Sequence, residues 1–305
     1  MTSSHFADSF KGSIVAIVTP MKPDGEIDYP ALEALVDWHI ESGTDGIVAV
    51  GTTGESPVLS VKEHLAVVKA IIDGVAGRIP VIAGNGSNST AEAVHLTREA
   101  AKLGADACLC VTPYYNRPSQ QGMYEHFRHI ADAEKSMPQI LYNVPSRTAV
   151  DLLPETVKRL SEIDNIIAIK EATGSLQRLG ELVALLDDQF ILLSGDDASC
   201  REFMLQGGRG VISVTANVAP EKMSQMCQFA LSGRVDEAMN TDNKLTALHQ
   251  HLFLQANPVP VKWALHEMQR IDSGIRLPLL MLESQYHQQV RQALEIAEIS
   301  INRTQ

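Results

Sequence analysis

The sequence is poor in aromatic residues and cysteine, and it has no excess of basic residues. Of its 305 residues, 5% are aromatic, four are cysteine, and the formal net charge is −12. Because nucleic acid and anionic membrane surfaces repel such a charge, we expect neither as a partner. The cysteines form no C-x-x-C pair, so neither a zinc site nor a disulfide framework is indicated, and we expect buried free thiols.

Long hydrophobic runs and targeting signals are also missing. No run approaches the roughly 18 residues of a membrane span, which argues against a transmembrane helix. The first ten residues, MTSSHFADSF, have neither the charged nor the apolar region of a signal peptide. The sequence therefore predicts a cytoplasmic protein with no membrane partner.

Motifs for bound metals and nucleotides are lacking as well. There is no HExxH motif, and no carboxylate is placed to complete a site with the pairs His126–His129 and His249–His251. We therefore predict that the protein binds no metal, and we expect these four histidines at the surface. The loop GTTGES is not followed by the G-K-[ST] of a nucleotide-binding P-loop.

What the chain does have is a series of eight short apolar runs rich in β-branched residues. They start at Ser13, Gly46, Pro80, Ala107, Gln139, Ile166, Phe190 and Gly210. Each run is nearly continuously apolar, which is typical of strands buried on both faces of a parallel sheet. The sequence therefore predicts eight parallel strands.

Amphipathic stretches with helix signals lie between these runs. Asp28 is a candidate N-cap, and Ser60 with Glu63 forms a candidate capping box. Eight strand-and-helix units in about 230 residues predict an α/β fold of the (β/α)8 TIM barrel type. The alternative is an open doubly wound sheet, but Ser89 stands where its dinucleotide fingerprint needs a third glycine.

The chain reads as helices after the eighth strand. We predict a catalytic barrel over residues 1–232 and a C-terminal helical domain over residues 233–305. This extension is expected to pack on the barrel or on a partner subunit.

Lys170 ends the sixth apolar run, in NIIAIKEATG. A strand end in this fold lies at the rim where barrel enzymes carry out their chemistry. A lysine there is ordinarily solvated or paired, in this case with Glu171. Alternatively, its amine forms a Schiff base with a carbonyl substrate, which requires the neutral amine that burial favours. The apolar run before Lys170 favours the second interpretation.

Other strand ends carry hydroxyl groups and an arginine. Thr52 and Thr53, in GTTGES, either form a polar turn or bind an anion with hydroxyl and backbone N–H groups. Tyr142 is either a core residue with a solvated hydroxyl or a proton carrier near the lysine. Arg147 either forms a surface ion pair or clamps a substrate carboxylate. The aspartates of SGDD, after the seventh run, argue against a phosphorylated substrate.

Five motifs occur in order along nearly the whole chain: GTTGES, VTPYYNRPSQ, ILYNVPSRT, IIAIKEATG and LLSGDD. Together they resemble the pyruvate-dependent class I lyases related to N-acetylneuraminate lyase. Within this family, the arginine of VPSRT favours the members that condense pyruvate with L-aspartate-4-semialdehyde in lysine and diaminopimelate biosynthesis. The resemblance implies a barrel with a C-terminal helical domain, and no metal or organic cofactor, because the iminium at the lysine is the electron sink.

The resemblance also implies roles for individual residues. Lys170 would form the Schiff base and Tyr142 would relay protons, connected to Thr53 and to a Tyr115 that the neighbouring subunit supplies. The substrate-binding positions implied are Thr52, Thr53, Arg147, Gly195 and Ile212. Among these, the threonines would hold the pyruvate carboxylate and Arg147 the carboxylate of the aldehyde.

Two further expectations come from the same resemblance. Enzymes of this type are homotetramers, built as dimers of dimers, and many bind lysine as a feedback inhibitor. The matching lysine-site positions are Ser56, His64, Asn88, Glu92 and Tyr114. Asn88 and Glu92 are spaced i, i+4, as on one face of a helix start. Val61 stands where lysine-sensitive relatives often carry histidine, which bears on the strength of inhibition.

Two alternatives to this function stay open at the sequence level. One is a related lyase acting on a sugar acid or on 4-hydroxy-2-oxoglutarate. The other is a catalytically silent barrel that binds a small carboxylate and regulates. The first predicts a different aldehyde preference, and the second predicts no covalent adduct with pyruvate.

Overall fold

A computed structural model describes residues 10–301 of the chain. The first nine residues of the stretch considered above for signal-peptide features lie outside this range. Within it, no helix is both long and apolar enough to cross a membrane.

Eight parallel strands form a closed barrel in which each strand pairs with the next and the first pairs with the last. The predicted α/β barrel is therefore confirmed. The strands are β1 Gly12–Ala16, β2 Gly46–Ala49, β3 Val81–Gly84, β4 Ala107–Val111, β5 Gln139–Asn143, β6 Ile166–Glu171, β7 Ile191–Ser194 and β8 Gly210–Ser213.

The alternation of side chains along each strand decides which residues face the barrel interior. In β5, Ile140 belongs to the interior cluster, and so does Tyr142 two residues later. In β6, Ala168 belongs to it as well, which directs Lys170 inward by the same period of two. The intervening residues face the surrounding helices. Strand period therefore places Tyr142 and Lys170 on the inner face at the carboxyl ends of neighbouring strands.

Twelve α-helices surround or extend the barrel in the described part of the chain. They are α1 Tyr29–Glu41, α2 Val61–Val75, α3 Thr90–Leu103, α4 Gln120–Ala133, α5 Pro145–Thr148, α6 Pro154–Leu160, α7 Leu176–Leu185, α8 Cys200–Leu205, α9 Pro220–Leu231, α10 Val235–His251, α11 Val259–Glu267 and α12 Ser284–Ile296. The predicted caps are confirmed: Asp28 accepts a hydrogen bond from the backbone N–H of Ala31, and Ser60 with Glu63 forms a capping box.

The last three helices follow the eighth barrel helix, α9. Their apolar residues, including Leu245 of α10 and Leu294 of α12, share one core cluster with barrel residues such as Val15. The proposed boundary at residues 232–233 falls in the turn between α9 and α10. The core cluster runs across that turn from the barrel into the C-terminal helices. The division of the chain into two domains stays a prediction.

The histidines were only partly predicted. His129 is exposed, but His126 and His249 are buried, so the expectation of a surface position was wrong for these two. His126 lies in α4 one residue before Phe127, on the face that packs inward, and bonds the hydroxyl of Thr90 at 2.9 Å. All four cysteines are buried free thiols, as expected.

Candidate active site

A cavity of about 440 Å³ opens at the carboxyl ends of the barrel strands. Its wall comes from the strand ends and following loops of β2, β5, β6 and β7, and from the C-terminal region. The candidate residues that line it are Thr52, Thr53, Ser56, Tyr114, Tyr142, Arg147, Lys170 and Gly195. The structure therefore brings most of the predicted site together at the rim where barrel chemistry takes place.

Lys170 is the buried amine of this cavity, with 6% of its surface exposed. Its Nζ lies 4.3 Å from the centre of the Tyr142 ring, because the two residues are register partners of neighbouring strands. Within the described residues, Lys170 forms no ion pair with a carboxylate. Lys170 therefore presents a buried primary amine to the cavity, which is the group that Schiff-base formation requires.

Glu171, the partner expected if Lys170 were only structural, faces the other side of the strand. Its carboxylate accepts a hydrogen bond from Asn143 Nδ2 at 3.0 Å and lies 3.6 Å from the Arg178 guanidinium. Burial raises the pKa of Glu171, while the hydrogen bond from Asn143 and the charge of Arg178 act in the opposite direction. Because Asn143 and Glu171 follow Tyr142 and Lys170 in their strands, this contact ties the two strand ends together behind the cavity.

Gly195 packs directly against the lysine side chain. A Cβ atom at this position would lie 2.6 Å from Ala172 Cβ and 2.9 Å from Lys170 Cε. Both distances are far shorter than a carbon–carbon contact, so only glycine leaves room for the extended lysine. Gly195 therefore acts by its lack of a side chain.

We expect Gly195→Ala to displace the Lys170 side chain and to lower the rate of covalent pyruvate trapping by about tenfold or more, since small misplacements of a reacting group are costly. Borohydride is added at successive times after pyruvate, and the fraction of protein that carries the reduced adduct at each time gives this rate. Gly180→Ala is the matched control, because Gly180 is exposed in α7 with open space around its missing Cβ. Equal trapping rates in the two variants would contradict the packing argument.

The GTTGES loop presents Thr52 and Thr53 to the cavity. Thr53 Oγ1 accepts a hydrogen bond from Asn257 Nδ2 at 3.0 Å. The backbone carbonyl of Asn257 in turn accepts one from Arg147 Nη2 at 3.2 Å. Asn257 thus joins the threonine loop to the arginine, although it lies in the C-terminal region.

Asn257 was missed at the sequence level. It lines the cavity, is 7% exposed, and its Oδ1 has no hydrogen-bond partner within the described residues. Its local sequence, QANPVPV, carries no catalytic motif, so only the fold reveals its position. Phe253, from the same region, also lines the cavity and was missed.

Two of the predicted catalytic and substrate-binding residues do not line the cavity in this single chain. Tyr115 has a backbone φ of 72° and is 90% exposed, so its side chain points away from the molecule. Ile212 is 1% exposed within the interior cluster. The roles of both residues stay predictions, and that of Tyr115 depends on a neighbouring subunit.

The predicted lysine-site residues lie around the mouth of the cavity and beside it. Ser56 and Tyr114 line the cavity, and Asn88 Nδ2 donates a hydrogen bond to the backbone carbonyl of Tyr114 at 3.2 Å. His64 Nε2 lies 2.7 Å from the carbonyl oxygen of Gly84, and burial lowers the pKa of this histidine.

One geometric expectation about these residues was wrong. Asn88 does not share a helix face with Glu92, because α3 is capped by Ser89, whose hydroxyl accepts from the Glu92 backbone N–H. Asn88 therefore precedes the helix and turns toward the loop of Tyr114. The Glu92 carboxylate instead accepts a hydrogen bond from Ser87 Oγ at 2.7 Å. Val61 is 39% exposed at the start of α2.

Metal-ligating residues do not gather in the described part of the chain. No group of three or more His, Cys, Asp or Glu side chains there has a geometry that could hold a metal ion. The ionisable and hydroxyl groups that line the cavity are the Lys170 amine, the Arg147 guanidinium, the Asp196 carboxylate and the hydroxyls of serine, threonine and tyrosine residues.

Comparison with known proteins gives the same picture. The sequence model of the dihydrodipicolinate synthetase family matches residues 9–297. The 4-hydroxy-tetrahydrodipicolinate synthases of Ectopseudomonas mendocina and Teredinibacter turnerae are 59% and 56% identical to this chain. The alignments cover 93% of this chain in both cases, and 97% and 98% of the relatives.

Solved structures agree in fold. The dihydrodipicolinate synthase of Acinetobacter baumannii, solved in complex with pyruvate, superimposes with a TM-score of 0.94 at 54% identity, covering 95% of this chain and 99% of that one. The enzyme of Cyanidioschyzon merolae, solved with lysine bound, gives 0.93 at 40% identity, covering 95% and 99%. The chain belongs to the dihydrodipicolinate synthetase family.

Proposed function

We propose that this protein is a lyase that condenses pyruvate with L-aspartate-4-semialdehyde through a Schiff base on Lys170. The product is 4-hydroxy-tetrahydrodipicolinate, at the entry to diaminopimelate and lysine biosynthesis. The observation that carries the proposal is the buried Lys170 amine, held against Tyr142 at the floor of a cavity with hydroxyl and guanidinium groups. The names of the relatives supply the substrate pair.

The reaction needs a primary amine and proton carriers. Lys170 Nζ attacks C2 of pyruvate, and loss of water gives an iminium whose positive charge acidifies the methyl group. Loss of a methyl proton gives an enamine, whose carbon attacks the aldehyde carbon of the second substrate. The aldehyde oxygen takes up a proton. The amino group of the aldehyde substrate then attacks the iminium carbon and displaces Lys170 Nζ, which forms the ring of the product and releases the free lysine. This scheme uses no metal or organic cofactor.

The cavity residues suit these steps. Thr52 and Thr53 line the cavity, and their hydroxyls are proposed to hold the pyruvate carboxylate. Tyr142 is proposed to move protons to and from the lysine-bound carbon, in a relay with Thr53 and a Tyr115 that the neighbouring subunit supplies. The exposure of Tyr115, 90% on this chain, supports such an exchange between subunits.

Arg147 is proposed to bind the carboxylate of the aldehyde substrate. It lies exposed at the mouth of the cavity, where the Asn257 carbonyl orients its guanidinium. We expect Arg147→Met to raise KM for the aldehyde by about 10- to 100-fold, because a charge-assisted bidentate contact is worth roughly 1.5–3 kcal/mol.

Pyruvate trapping measured in the same variant is expected to stay close to wild type, since Arg147 acts on the second substrate. Arg98→Met, which changes an exposed arginine on α3, is the control. A variant that lost pyruvate trapping and aldehyde affinity in parallel would contradict the assigned role.

Lysine inhibition and assembly are secondary proposals. The positions Ser56, His64, Asn88, Glu92 and Tyr114 are proposed to bind lysine, and the lysine-bound relative supports this. The homotetramer and the cytoplasmic location stay predictions from the sequence.

Steady-state kinetics with a panel of aldehydes test the proposed reaction. The purified protein is supplied with pyruvate and, in turn, L-aspartate-4-semialdehyde, N-acetylmannosamine or glyoxylate. We expect the largest kcat/KM with L-aspartate-4-semialdehyde. A larger value with the sugar or with glyoxylate would instead identify a sialic-acid-type or hydroxy-oxoglutarate lyase.

A further inference from the structure

A buried ion pair lies directly behind the threonine loop. Glu55 and Lys262 both have fully buried side chains, and Lys262 Nζ lies 2.5 Å from Glu55 Oε1. The second carboxylate oxygen of Glu55 accepts a hydrogen bond from the backbone N–H of Arg276 at 3.3 Å. Neither Glu55 nor Lys262 lines the cavity, so the pair does not touch a substrate bound there.

The pair anchors the turn that carries Thr52 and Thr53. Glu55 is the last residue of this turn, with a left-handed φ of 60°, and its N–H donates to the Thr52 carbonyl at 3.1 Å. Lys262 also donates to the carbonyl of Thr19 at 3.1 Å, and Thr19 Oγ1 donates to the carbonyl of Gly54 at 2.7 Å. The turn is thus held from behind at two consecutive residues.

Stability alone does not account for an ion pair in this place. Burial lowers the pKa of Lys262, an effect that the charge of Glu55 opposes. The loss of water around two buried charges offsets much of their attraction, and well-packed apolar replacements of such pairs are often neutral or stabilising. Apolar side chains lack direction, however, whereas the pair fixes one carboxylate between a helix and a loop.

We propose that the Glu55–Lys262 ion pair positions the hydroxyl and backbone N–H groups of Thr52 and Thr53 for the carboxylate of pyruvate. Helix α11, which carries Lys262, begins two residues after Asn257, the residue that holds Thr53 from the cavity side. The C-terminal helices therefore act on the first substrate through the loop, from both sides. This inference rests on the proposed function, and Glu55 and Lys262 are positioning residues in it.

The test uses the full chain and measures how much pyruvate adduct is formed on reduction with borohydride, as a function of the pyruvate concentration. A single replacement would leave the other charge buried without a partner. The variant of choice is therefore the double replacement E55Q/K262M, which removes both charges and keeps a similar side-chain volume. We expect it to stay folded and to melt below the wild type, because the Thr19 carbonyl and the new amide lose the buried lysine donor. Its half-saturating pyruvate concentration in trapping is expected to rise about tenfold, the loss of one hydrogen bond to a charged group.

A role limited to stability would not produce this selectivity. In E55Q/K262M, KM for L-aspartate-4-semialdehyde at saturating pyruvate is expected to stay within about twofold of wild type, because Arg147 is untouched. Lys244→Met removes an exposed ion pair with Glu298 in the same C-terminal region and is expected to change neither value.

A second variant keeps the inference testable if the double replacement does not fold. Thr19→Val removes the hydrogen bond to Gly54 without a change of charge, and we expect the half-saturating pyruvate concentration to rise about threefold. A folded variant of either kind with the wild-type pyruvate value, or with equal losses for both substrates, would overturn the inference. If the wild type itself forms no pyruvate adduct, the result contradicts the proposed function, and the inference about the ion pair fails with it.

Discussion

Lys170→Ala is expected to eliminate covalent pyruvate trapping and to lower kcat/KM by at least about 10³-fold. Without the amine there is no iminium, so the methyl protons of pyruvate keep their ordinary low acidity and the enamine does not form. The measurement is initial rate with both substrates, together with intact-mass analysis after borohydride reduction in the presence of pyruvate.

The variant itself should fold, because the replacement removes a buried amine side chain that forms no ion pair within the described residues. Lys158→Ala, at an exposed lysine on α6, is the control and should trap pyruvate like wild type. Substantial turnover or an adduct in Lys170→Ala would show that another amine carries the reaction.

Tyr142→Phe is expected to lower kcat by about 10²- to 10³-fold, the usual contribution of general acid–base catalysis. The phenyl ring would keep the packing against the Lys170 amine, where the ring centre and Nζ are 4.3 Å apart. Only the hydroxyl that is proposed to move protons would be lost. Pre-steady-state formation of the adduct should slow, while its final extent at saturating pyruvate should match wild type.

The distinction between rate and extent is the informative part of this experiment. Tyr124→Phe is the control, because the Tyr124 ring on α4 lies under the Arg159 guanidinium at the protein surface. A wild-type kcat in Tyr142→Phe would contradict the proposed role of Tyr142 in proton transfer. A variant with no adduct at all would instead assign Tyr142 to binding.

Much of the fold could be predicted because its determinants are local. Continuous β-branched runs identified the strands, and Asp28 and Ser60 marked helix starts that the structure confirms. Lys170 stood out for a physical reason, because the four apolar residues before it predicted a buried strand that ends at a lysine.

Local signals failed where two residues competed or where a helix had two faces. Asn88 and Ser89 are both good N-cap residues, and only the structure shows that Ser89 caps α3. His126 and His129 are three residues apart on α4, but His126 belongs to the face of Met123 and Phe127. The neighbouring apolar residues, rather than the histidine spacing, carried that information.

The remaining part of the site depends on contacts that no local pattern encodes. Asn257 meets Thr53 across 204 residues of chain, and Lys262 meets Glu55 across 207. Such contacts arise because the C-terminal helices return to the rim of the barrel. The sequence motifs therefore identified the groups that are proposed to react, and the tertiary structure revealed Asn257 and Lys262, which contact the loop that carries Thr53 and Glu55.

Borohydride reduction of the wild-type protein with pyruvate, followed by peptide mass mapping, tests the central claim most directly. The account predicts a single reduced pyruvate adduct, located on Lys170 in the peptide that contains NIIAIKEATG. The absence of an adduct, or an adduct on any other lysine, would contradict it.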